Sequence, residues 1–446
     1  MLHVLAIMKI LLISPVIDLD KKTPKSLTIP QLALHLLAGL TPEEHEVQIV
    51  EEENELTDTS VDCDLVGISC MTSNVSRGYD LAKIFKGRGK SVVMGGIHPT
   101  VLPDEALLHA DSVVIGEAEE VWETLLEDFQ NGKLQKKYNK SMPVLDRYIP
   151  TRTRNDSKKR AFGAISVETT RGCPYTCDFC CVPEFYGRKM RHKQVDLVVK
   201  DIQESGSNKI LFLDDNILGH PKYARELFPR LNPLNIKWAG QCSITTIEKN
   251  PDLLDLAVNS GCAFLYFGLE TISPTTMKRL NKSMKSVEHM ETTIKKIKDS
   301  GIHFHASIIL GFDDDTEAVF PETLEFLNRN GIGTTTFHIM TPFPGTGLFN
   351  DMDKAGRILT KDWKHYHWDT VVFQPKNLTP DQLFEGFIWT KKEFSKFGNI
   401  VRRLPKNLSH PLLHVGLNIG AGIEVKHHQK KWKEGKFQSS LQLKTI

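Results

Sequence analysis

Short apolar runs alternate with helix-like stretches along the first 140 residues. Helical apolar spacing covers residues 29–39, 76–88 and 119–131. The apolar runs lie at residues 10–13, 47–50, 65–69, 91–94 and 112–115. Strands separated by helices predict an α/β unit with a doubly wound parallel sheet. Ligands of such sheets bind beyond the carboxyl ends of the strands.

A second series of alternating elements follows. Helical spacing recurs at residues 194–204, 251–260 and 287–300. The strands are expected at residues 164–170, 209–213, 237–243, 263–269, 303–310 and 334–340. Six such units predict a partial (β/α)6 barrel, open on one side to admit a large substrate. Its chemistry should lie at the carboxyl ends of the strands.

These patterns divide the chain into four parts. Residues 1–140 form the first α/β domain, 141–160 a linker, 161–355 the partial barrel, and 356–446 a mainly helical, aromatic and basic extension. From residue 132 to 160 the chain is rich in Lys and Arg, contains two prolines and has no clear period, which is typical of an extended connector.

Composition narrows the class of protein. A chain of 446 residues, 40% hydrophobic and 25% charged, can bury two sizeable cores. The net charge of +1 gives no global attraction to nucleic acid, so none is expected as a partner. No apolar run approaches the length of a membrane-spanning helix. Free thiols favour a reducing cytoplasm.

Charge is uneven at the end of the chain. Beyond Val401 there are nine Lys and Arg against two Glu, a net charge of +7. This segment could contact an anionic membrane surface peripherally, or it could be an unpacked basic tail.

The most informative motif is a cysteine triplet. Cys173, Cys177 and Cys180 form a Cys-x3-Cys-x2-Cys run directly after the strand at residues 164–170. Three thiolates can hold three irons of a 4Fe-4S cube and leave one iron open for a small chelating ligand. Cys181 is not expected to be a ligand, because adjacent side chains cannot easily face one metal together.

Two other uses of these cysteines fit less well. A structural zinc ion needs four closed ligands, and His192 lies outside the usual spacing. A disulfide framework is unexpected in a long chain with only 8 cysteines.

The triplet, with Phe179 before its last cysteine, resembles the signature of the radical S-adenosylmethionine enzymes. The resemblance implies that S-adenosylmethionine chelates the open iron and is cleaved to a 5'-deoxyadenosyl radical, which abstracts a hydrogen atom. It also implies that Phe179 packs near the adenine.

Polar side chains follow several barrel strands. Each could be an ordinary loop carboxylate or helix cap. In the resembling family these positions hold the methionyl ammonium and the ribose hydroxyls, and carboxylates suit a cation. The candidate contacts to S-adenosylmethionine are Phe179, Asp214, Asp215, Asn216, Ser243 and Glu270.

The first domain resembles the cobalamin-binding domain fused to one branch of these enzymes, in the phrases at residues 92–100 and 110–119. Gly95 and Gly96 have no Cβ and let the backbone approach a ligand. The Asp-x-His-x-x-Gly motif, whose histidine replaces the lower axial base of cobalamin in many mutases, does not occur in this domain. His98 is expected to be a hydrogen-bonded surface residue and not a cobalt ligand. The candidate cobalamin contacts are Ser69, Thr72, Gly95, Gly96, His98, Gly116 and Glu117.

A rigid Thr-Pro-Phe-Pro-Gly-Thr turn at residues 341–346 completes the resemblance. The branch includes the anaerobic magnesium-protoporphyrin ester cyclase and the hopanoid methylases, and the similarity covers residues 8 to 350. It implies three cofactors (a 4Fe-4S cluster, S-adenosylmethionine and cobalamin) and a reducing partner such as a flavodoxin or ferredoxin.

The function expected from this resemblance is methylation of an unactivated carbon in a large apolar substrate. Two alternatives remain open. One is oxidative ring closure on a lipid or tetrapyrrole. The other is a non-catalytic cobalamin-binding module.

Overall fold

The computed structural model describes residues 7–19, 29–147, 163–280 and 286–403, and the isolated residues 417, 418, 420 and 422. The basic tail, interpreted above as a membrane contact, therefore lies almost entirely outside the described residues. Residues 148–160 of the linker also lie outside them. Within the described ranges, no helix combines the length and the apolar character needed to cross a bilayer.

The first domain is built on a six-stranded parallel sheet of order β2-β1-β3-β4-β5-β6. Its strands are β1 (Lys9–Ser14), β2 (Glu46–Glu51), β3 (Leu65–Ser69), β4 (Ser91–Gly95), β5 (Ser112–Ile115) and β6 (Lys137–Asn139). Its helices are α1 (Leu32–Leu40), α2 (Val75–Gly87), α3 (Ile97–Val101), α4 (Pro103–Ala106) and α5 (Trp122–Gln130).

Both faces of this sheet are covered. In β1, Leu11 and Ile13 pack in a core with α2, whereas Ile10 and Leu12 pack in a second core with α1 and α5. Apolar residues on both faces are what a parallel sheet between two helical layers requires. The predicted doubly wound sheet is confirmed.

The connector begins later than the sequence predicts. Residues 137–139, assigned above to the extended connector, form β6 and pair with β5 in parallel. The prediction from residue 132 onward was wrong there, because a strand of three residues with only Tyr138 buried has too little pattern to recognise.

The second domain contains a six-stranded parallel sheet of order β14-β13-β12-β11-β10-β7, and the partial barrel is confirmed. The strands from residue 165 onward are β7 (Ile165–Val167), β8 (Thr170–Arg171), β9 (Arg191–His192), β10 (Lys209–Phe212), β11 (Lys237–Cys242), β12 (Cys262–Glu270), β13 (His303–Leu310) and β14 (Thr334–Ile339). The helices are α6 (Val182–Tyr186), α7 (Val195–Ser205), α8 (Pro221–Leu231), α9 (Ile244–Lys249), α10 (Asp252–Asn259), α11 (Pro274–Arg279), α12 (Val287–Asp299), α13 (Val319–Arg329), α14 (Gly347–Lys354), α15 (Pro380–Phe394) and α16 (Phe397–Arg402).

The strand predicted at residues 164–170 is divided. Only β7 belongs to the barrel sheet, whereas β8 pairs with β9 in a separate antiparallel ladder. The chain leaves the sheet at Glu168 and Thr169, where polar side chains find partners outside the ladder. The cysteine triplet therefore follows a short hairpin-like ladder and not the barrel strand itself.

The barrel strands alternate between two environments. In β13, Phe304, Ala306 and Ile308 pack in the core with the helices. His303 and His305 face the opposite, inner side, because successive side chains of a strand point to opposite faces. The inner face is thus polar and aromatic where the outer face is apolar.

The extension after residue 355 contacts both domains. Trp363, Tyr366 and Val372 join the core of the first domain. Phe384 and Phe387 of α15 join the core of the barrel. The extension therefore helps to hold the two domains together by burying aromatic side chains in both cores.

Candidate functional site

The cluster loop, residues 171–181, is fixed by the two carboxylates that follow β10. Asp214 is fully buried and accepts hydrogen bonds from the backbone N–H and the hydroxyl groups of Thr169 and Thr170. Asp215 accepts one from the Gly172 N–H at 3.3 Å. The chain entering the cluster loop is therefore held on the carboxyl end of the barrel sheet.

Burial sets the charge state of these carboxylates. It raises the pKa of Asp214 to about 6 and that of Asp215 to about 7. Donors around Asp214 oppose the shift, whereas the neighbouring Glu168 adds to it. A cationic ligand nearby would favour the ionised forms of both groups.

The three cysteines lie close together in the loop. Cys180 N–H donates to the Cys177 carbonyl at 3.1 Å, which makes a tight turn. Burial raises the pKa of Cys180, and the nearby thiols of Cys181, Cys177 and Cys173 raise it further. All eight cysteines fall in the described ranges, and none is in a disulfide.

The thiols do not converge on a single point. Among the described residues, no three His, Cys, Asp or Glu side chains are grouped closely enough to hold one metal ion. A 4Fe-4S cube makes no such demand, because each cysteine binds a different iron at its own corner. The three cysteines of the triplet are partly exposed on one loop, and their spacing fits three thiolates that each bind one iron of the cube.

Unsatisfied polar atoms lie at the next strand ends. The Asn216 Nδ2 and the Ser243 Oγ are buried without a hydrogen-bond partner. The two residues are neighbours, since the Ser243 N–H donates to Asn216 Oδ1 at 3.4 Å. Buried polar groups are costly when unpaired, so these atoms fit a polar ligand such as S-adenosylmethionine.

Glu270 carries backbone strain at the same edge. Its φ of 65° lies in the left-handed region, and the register between β12 and β13 shifts between Gly268 and Glu270. Strain of this kind is concentrated at ligand sites, where the surrounding structure maintains it. Phe179 lies beside the next loop, with its ring 6.3 Å from that of Phe312 in an edge-to-face contact.

A cavity of about 250 Å³ lies beyond the carboxyl ends of the first sheet. Five of the predicted cobalamin contacts line it: Ser69, Gly95, Gly96, Gly116 and Glu117. The φ of Gly96 is 94°, and a Cβ there would lie 2.6 Å from the Cys70 carbonyl oxygen. Only glycine fits, so the backbone turns tightly at the mouth of the cavity.

Thr72 and His98 lie behind the cavity wall. His98 is fully buried, with its Nδ1 hydrogen-bonded to Thr72 Oγ1 at 3.1 Å and its Nε2 3.3 Å from Glu105. Burial lowers the pKa of His98, although Glu105 opposes the shift. Trp363 packs against the imidazole edge-to-face. The sequence predicted a hydrogen-bonded surface residue for His98. The hydrogen bonds are present, but the surface position was wrong, because α3 and Trp363 bury the ring.

An ion network joins the two sites across the domain boundary. Arg171, at the start of the cluster loop, pairs with Glu117 and with Glu119, the latter at 2.6 Å. Arg191 also pairs with Glu117. Arg171 lines the cobalamin-domain cavity together with Tyr186. The carboxyl ends of the two sheets therefore meet.

Sequence reasoning missed this network. Glu117 was predicted only as a cobalamin contact, and neither arginine was singled out. A signal existed in the Gly-Glu-Ala-Glu phrase after β5 and in the arginine directly before the first cysteine. Opposite charges flanking two ligand loops are informative only once the loops are known to meet.

The inner face of the barrel was also missed. Tyr266 hydroxyl is hydrogen-bonded to His338 Nε2 at 3.1 Å, and its ring stacks on His305 at 5.1 Å. His305 is bonded through both ring nitrogens to Thr334 and Thr336. Burial lowers the pKa of His305 to about 3, so its imidazole is neutral.

Two family models match the chain where these sites lie. The B12 binding domain model matches residues 26–126, and the Radical SAM superfamily model matches residues 167–327. The chain belongs to the cobalamin-binding branch of the radical SAM superfamily, in its methyltransferase family, and its cofactors are a 4Fe-4S cluster, S-adenosylmethionine and cobalamin.

Curated relatives extend over most of the chain. Bacteriochlorophyllide d C-12(1)-methyltransferase of Chlorobaculum tepidum is 34% identical over 76% of this chain and 76% of its own length. Bacteriochlorophyllide d C-8(2)-methyltransferase of the same organism is 31% identical over 78% of this chain and 82% of its own length. Hopanoid C-2 methylase of Rhodopseudomonas palustris is 26% identical over 77% of this chain and 68% of its own length.

Solved structures share the fold. The cobalamin-dependent S-adenosylmethionine radical enzyme OxsB, with aqua-cobalamin and S-adenosylmethionine bound, has a TM-score of 0.70 at 13% identity and covers 98% of this chain and 82% of its own. The methyltransferase TsrM from Kitasatospora setae has a TM-score of 0.64 at 15% identity and covers 80% of each chain.

Proposed function

We propose that this enzyme methylates an unactivated carbon of a large, planar, mostly apolar substrate of the tetrapyrrole class, bound on the inner face of the barrel. The observation that carries the proposal is the meeting of the two sheet edges, which brings the cluster loop against the cobalamin cavity through Arg171 and Glu117. When bound, the cluster with S-adenosylmethionine supplies radical hydrogen abstraction and cobalamin supplies the methyl group.

The residues of the chain position these groups. Cys173, Cys177 and Cys180 would hold the cluster, and Asp214 and Asp215 hold the loop that carries them. Ser243, Asn216 and Glu270 would bind S-adenosylmethionine. The cobalamin would lie against Ser69, Gly95, Gly96 and Gly116, and Thr72 and His98 lie behind these loops. Glu117 lines the same cavity, but both of its carboxylate oxygens are bound by arginines.

The inner face suits a flat substrate with polar edges. Tyr266, whose ring stacks on His305 at 20° from parallel, is only partly buried, and an aromatic side chain of this kind packs well against a planar ring. Trp368 is 45% exposed, and its ring lies 6.0 Å from that of His338. The two relatives named for bacteriochlorophyllide d support the tetrapyrrole class.

The substrate proposal can be tested by product analysis. Anaerobically reconstituted protein with hydroxocobalamin, S-adenosylmethionine and titanium(III) citrate would be incubated with a chlorophyllide-type chlorin or, separately, with a hopanoid. A mass gain of one methylene unit in the chlorin, with formation of 5'-deoxyadenosine, is expected. Loss of hydrogens from the chlorin would instead identify a cyclase, and methylation of the hopanoid alone would refute the tetrapyrrole class.

The reducing partner is proposed to be a flavodoxin or ferredoxin in the cytoplasm, because the reaction needs single electrons. Peripheral membrane contact through the basic tail is a separate proposal, resting on its charge of +7. The matched variant deletes residues 404–446 and keeps Arg403, whose guanidinium is buried against Asn328 and Phe394. The full chain should sediment with anionic liposomes and not with neutral ones, and the variant should sediment with neither. Unchanged sedimentation of the variant with anionic liposomes would contradict the proposal.

A further inference from the structure

Glu117 is the centre of the ion network at the domain boundary. Both of its carboxylate oxygens are engaged: Oε2 accepts from Arg171 and Arg191, and Oε1 accepts from Arg191. Its side chain is only 3% exposed. Because both oxygens are bound by guanidinium groups of the barrel domain, Glu117 is more than a wall of the cobalamin cavity.

Both arginines belong to the frame of the cluster loop. Arg171 and Arg191 are partners in the β8–β9 ladder. Arg171 precedes Cys173 by two residues, and its Nε donates to Glu168 at 2.8 Å. A displacement of Glu117 therefore acts on the segment that presents the first cluster cysteine.

The network is also part of the cavity surface. Glu117, Glu119 and Arg171 all line the cavity, beside the glycines that would approach a ligand. The charges are balanced, since Glu117, Glu119 and Glu168 face Arg171, Arg191 and Lys193. Breaking such buried pairs is costly because it leaves an unpaired buried charge, so the network has few alternative arrangements.

We propose that Glu117 is a positioning residue that couples occupancy of the cobalamin cavity to the arrangement of the cluster loop, with Arg171 and Arg191 as the connecting groups. A ligand in the cavity would fix Glu117 and thereby the loop that holds the cluster and the open iron. Coupling of this kind is reciprocal: each ligand must change the affinity for the other by the same factor.

The test is a set of four dissociation constants, measured with the reconstituted full chain at matched iron content. The affinity for S-adenosylmethionine is measured with and without hydroxocobalamin, and the affinity for hydroxocobalamin with and without S-adenosylmethionine. We expect a coupling of about fivefold or more in the wild type, equal in both directions. Glu117→Gln should bring both ratios near one while hydroxocobalamin still binds.

A matched control uses a buried ion pair inside the first domain. Glu52 is 4% exposed and pairs with Arg77, with 2.7 Å between Oε1 and Nη2. Glu52→Gln removes a comparable buried charge whose partners, Val16, Thr57 and Arg77, all belong to the first domain, so the coupling ratio should stay at the wild-type value. A purely structural effect of losing a buried carboxylate would lower the ratio in both variants.

Hydrogen–deuterium exchange gives a readout that needs no catalysis. Hydroxocobalamin should slow exchange in residues 171–181 of the wild type and not in Glu117→Gln. If Glu117→Gln does not fold, Arg191→Lys serves, because it keeps the charge and loses the forked contact with Glu117.

Three outcomes would overturn the proposal: a wild-type ratio of one, wild-type coupling in Glu117→Gln, or loss of cobalamin binding in Glu117→Gln, which would make Glu117 a direct ligand contact. No methyl acceptor is used, so an incorrect substrate class would not affect the result.

Discussion

Cys181 stands next to the cluster triplet but has a different local role. Its carbonyl accepts a hydrogen bond from Phe185 N–H at 3.0 Å, which starts α6. Burial raises the pKa of its thiol, and the nearby Asp215 adds to the shift. The pKa of Cys180 is raised by burial too, so what distinguishes Cys181 is its position at the start of α6, and Cys177 and Cys181 offer a matched comparison.

Cys177→Ala should lose the cluster, whereas Cys181→Ala should keep it. Removing one of three ligands leaves a corner iron without its thiolate, so iron and sulfide per chain should fall and formation of 5'-deoxyadenosine should drop to background. Cys181→Ala should retain iron, sulfide and cleavage within about twofold, because it removes no ligand of the cluster. Retained cleavage in Cys177→Ala would refute the ligand assignment.

His305 makes a second prediction at this scale, on stability against pH. Its folded pKa of about 3 lies below the usual value of 6.5 for the unfolded chain. Between these values the unfolded chain binds more protons, so the free energy of unfolding falls by about 1.4 kcal/mol per pH unit as pH decreases below 6.5. Above 6.5 the group is neutral in both states and contributes no pH dependence.

His305→Gln should remove this pH dependence while keeping groups that can bond Thr334 and Thr336. Urea unfolding at pH 8 and pH 5 should show a smaller difference in the variant, by about 2 kcal/mol. His289→Gln is the control, because His289 is exposed on α12. An equal difference in wild type and His305→Gln would contradict a neutral buried imidazole.

The types of residue at the strand ends predicted the location of the sites better than they predicted the role of each residue. Asp214 and Asp215 were expected to contact S-adenosylmethionine, yet their oxygens accept from Thr169, Thr170 and Gly172. A carboxylate after a barrel strand marks the functional edge, because all carboxyl ends share that edge. Which donor satisfies it depends on tertiary contacts that no local pattern encodes. Their contact with the cofactor stays a prediction.

At the scale of elements, long apolar runs were predictable and short ones were not. β13 has eight residues, and its observed bounds are the predicted residues 303–310. β6 and β8, with three and two residues, were missed or merged, since their pairing depends on neighbours and not on their own sequence. The cluster loop depends on β8, so its frame was also beyond prediction.

The packing of α15 on α13 gives an element-scale prediction. A Cβ on Gly386 would lie 2.1 Å from the Phe320 ring, which is 5% exposed. Gly386→Ala should therefore destabilise the barrel by about 1–3 kcal/mol, although alanine favours a helix by about 1 kcal/mol. The thermal unfolding midpoint measures the change.

Gly398→Ala in α16 is the matched control, because nothing lies within 4 Å of its added methyl group. This variant should be neutral or more stable, by up to about 1 kcal/mol. If Gly386→Ala were as stabilising as Gly398→Ala, α15 and α13 would not be in close contact at Gly386.

At the scale of the whole molecule, residues 356–373 contact the cores of both domains. An antiparallel bridge between Ile358 and Phe373 joins the two ends of this segment. Trp363 then reaches into the first domain, where its indole N–H donates to Glu105 Oε1 at 2.8 Å. Glu105 also accepts from the Tyr79 hydroxyl at 2.9 Å. The same carboxylate lies beside His98, so this anchor supports the loops of the cobalamin cavity from behind.

Substitution of Trp363 separates the hydrogen bond of this anchor from its packing. Trp363→Phe keeps a ring and loses the donor, so it should cost about 1 kcal/mol of unfolding free energy. Trp363→Ala also leaves a cavity beside His98 and should cost about 3–5 kcal/mol. Limited proteolysis should then cut residues 356–373 first, because their attachment to the first domain is lost. Trp389, 40% exposed on α15, is the control, and Trp389→Ala should change stability by no more than about 0.5 kcal/mol. If Trp363→Ala and Trp389→Ala were equally mild, residues 356–373 would not be what holds the two domains together, and other contacts, such as Phe349 in the core of the first domain and the ion network around Glu117, would have to do so.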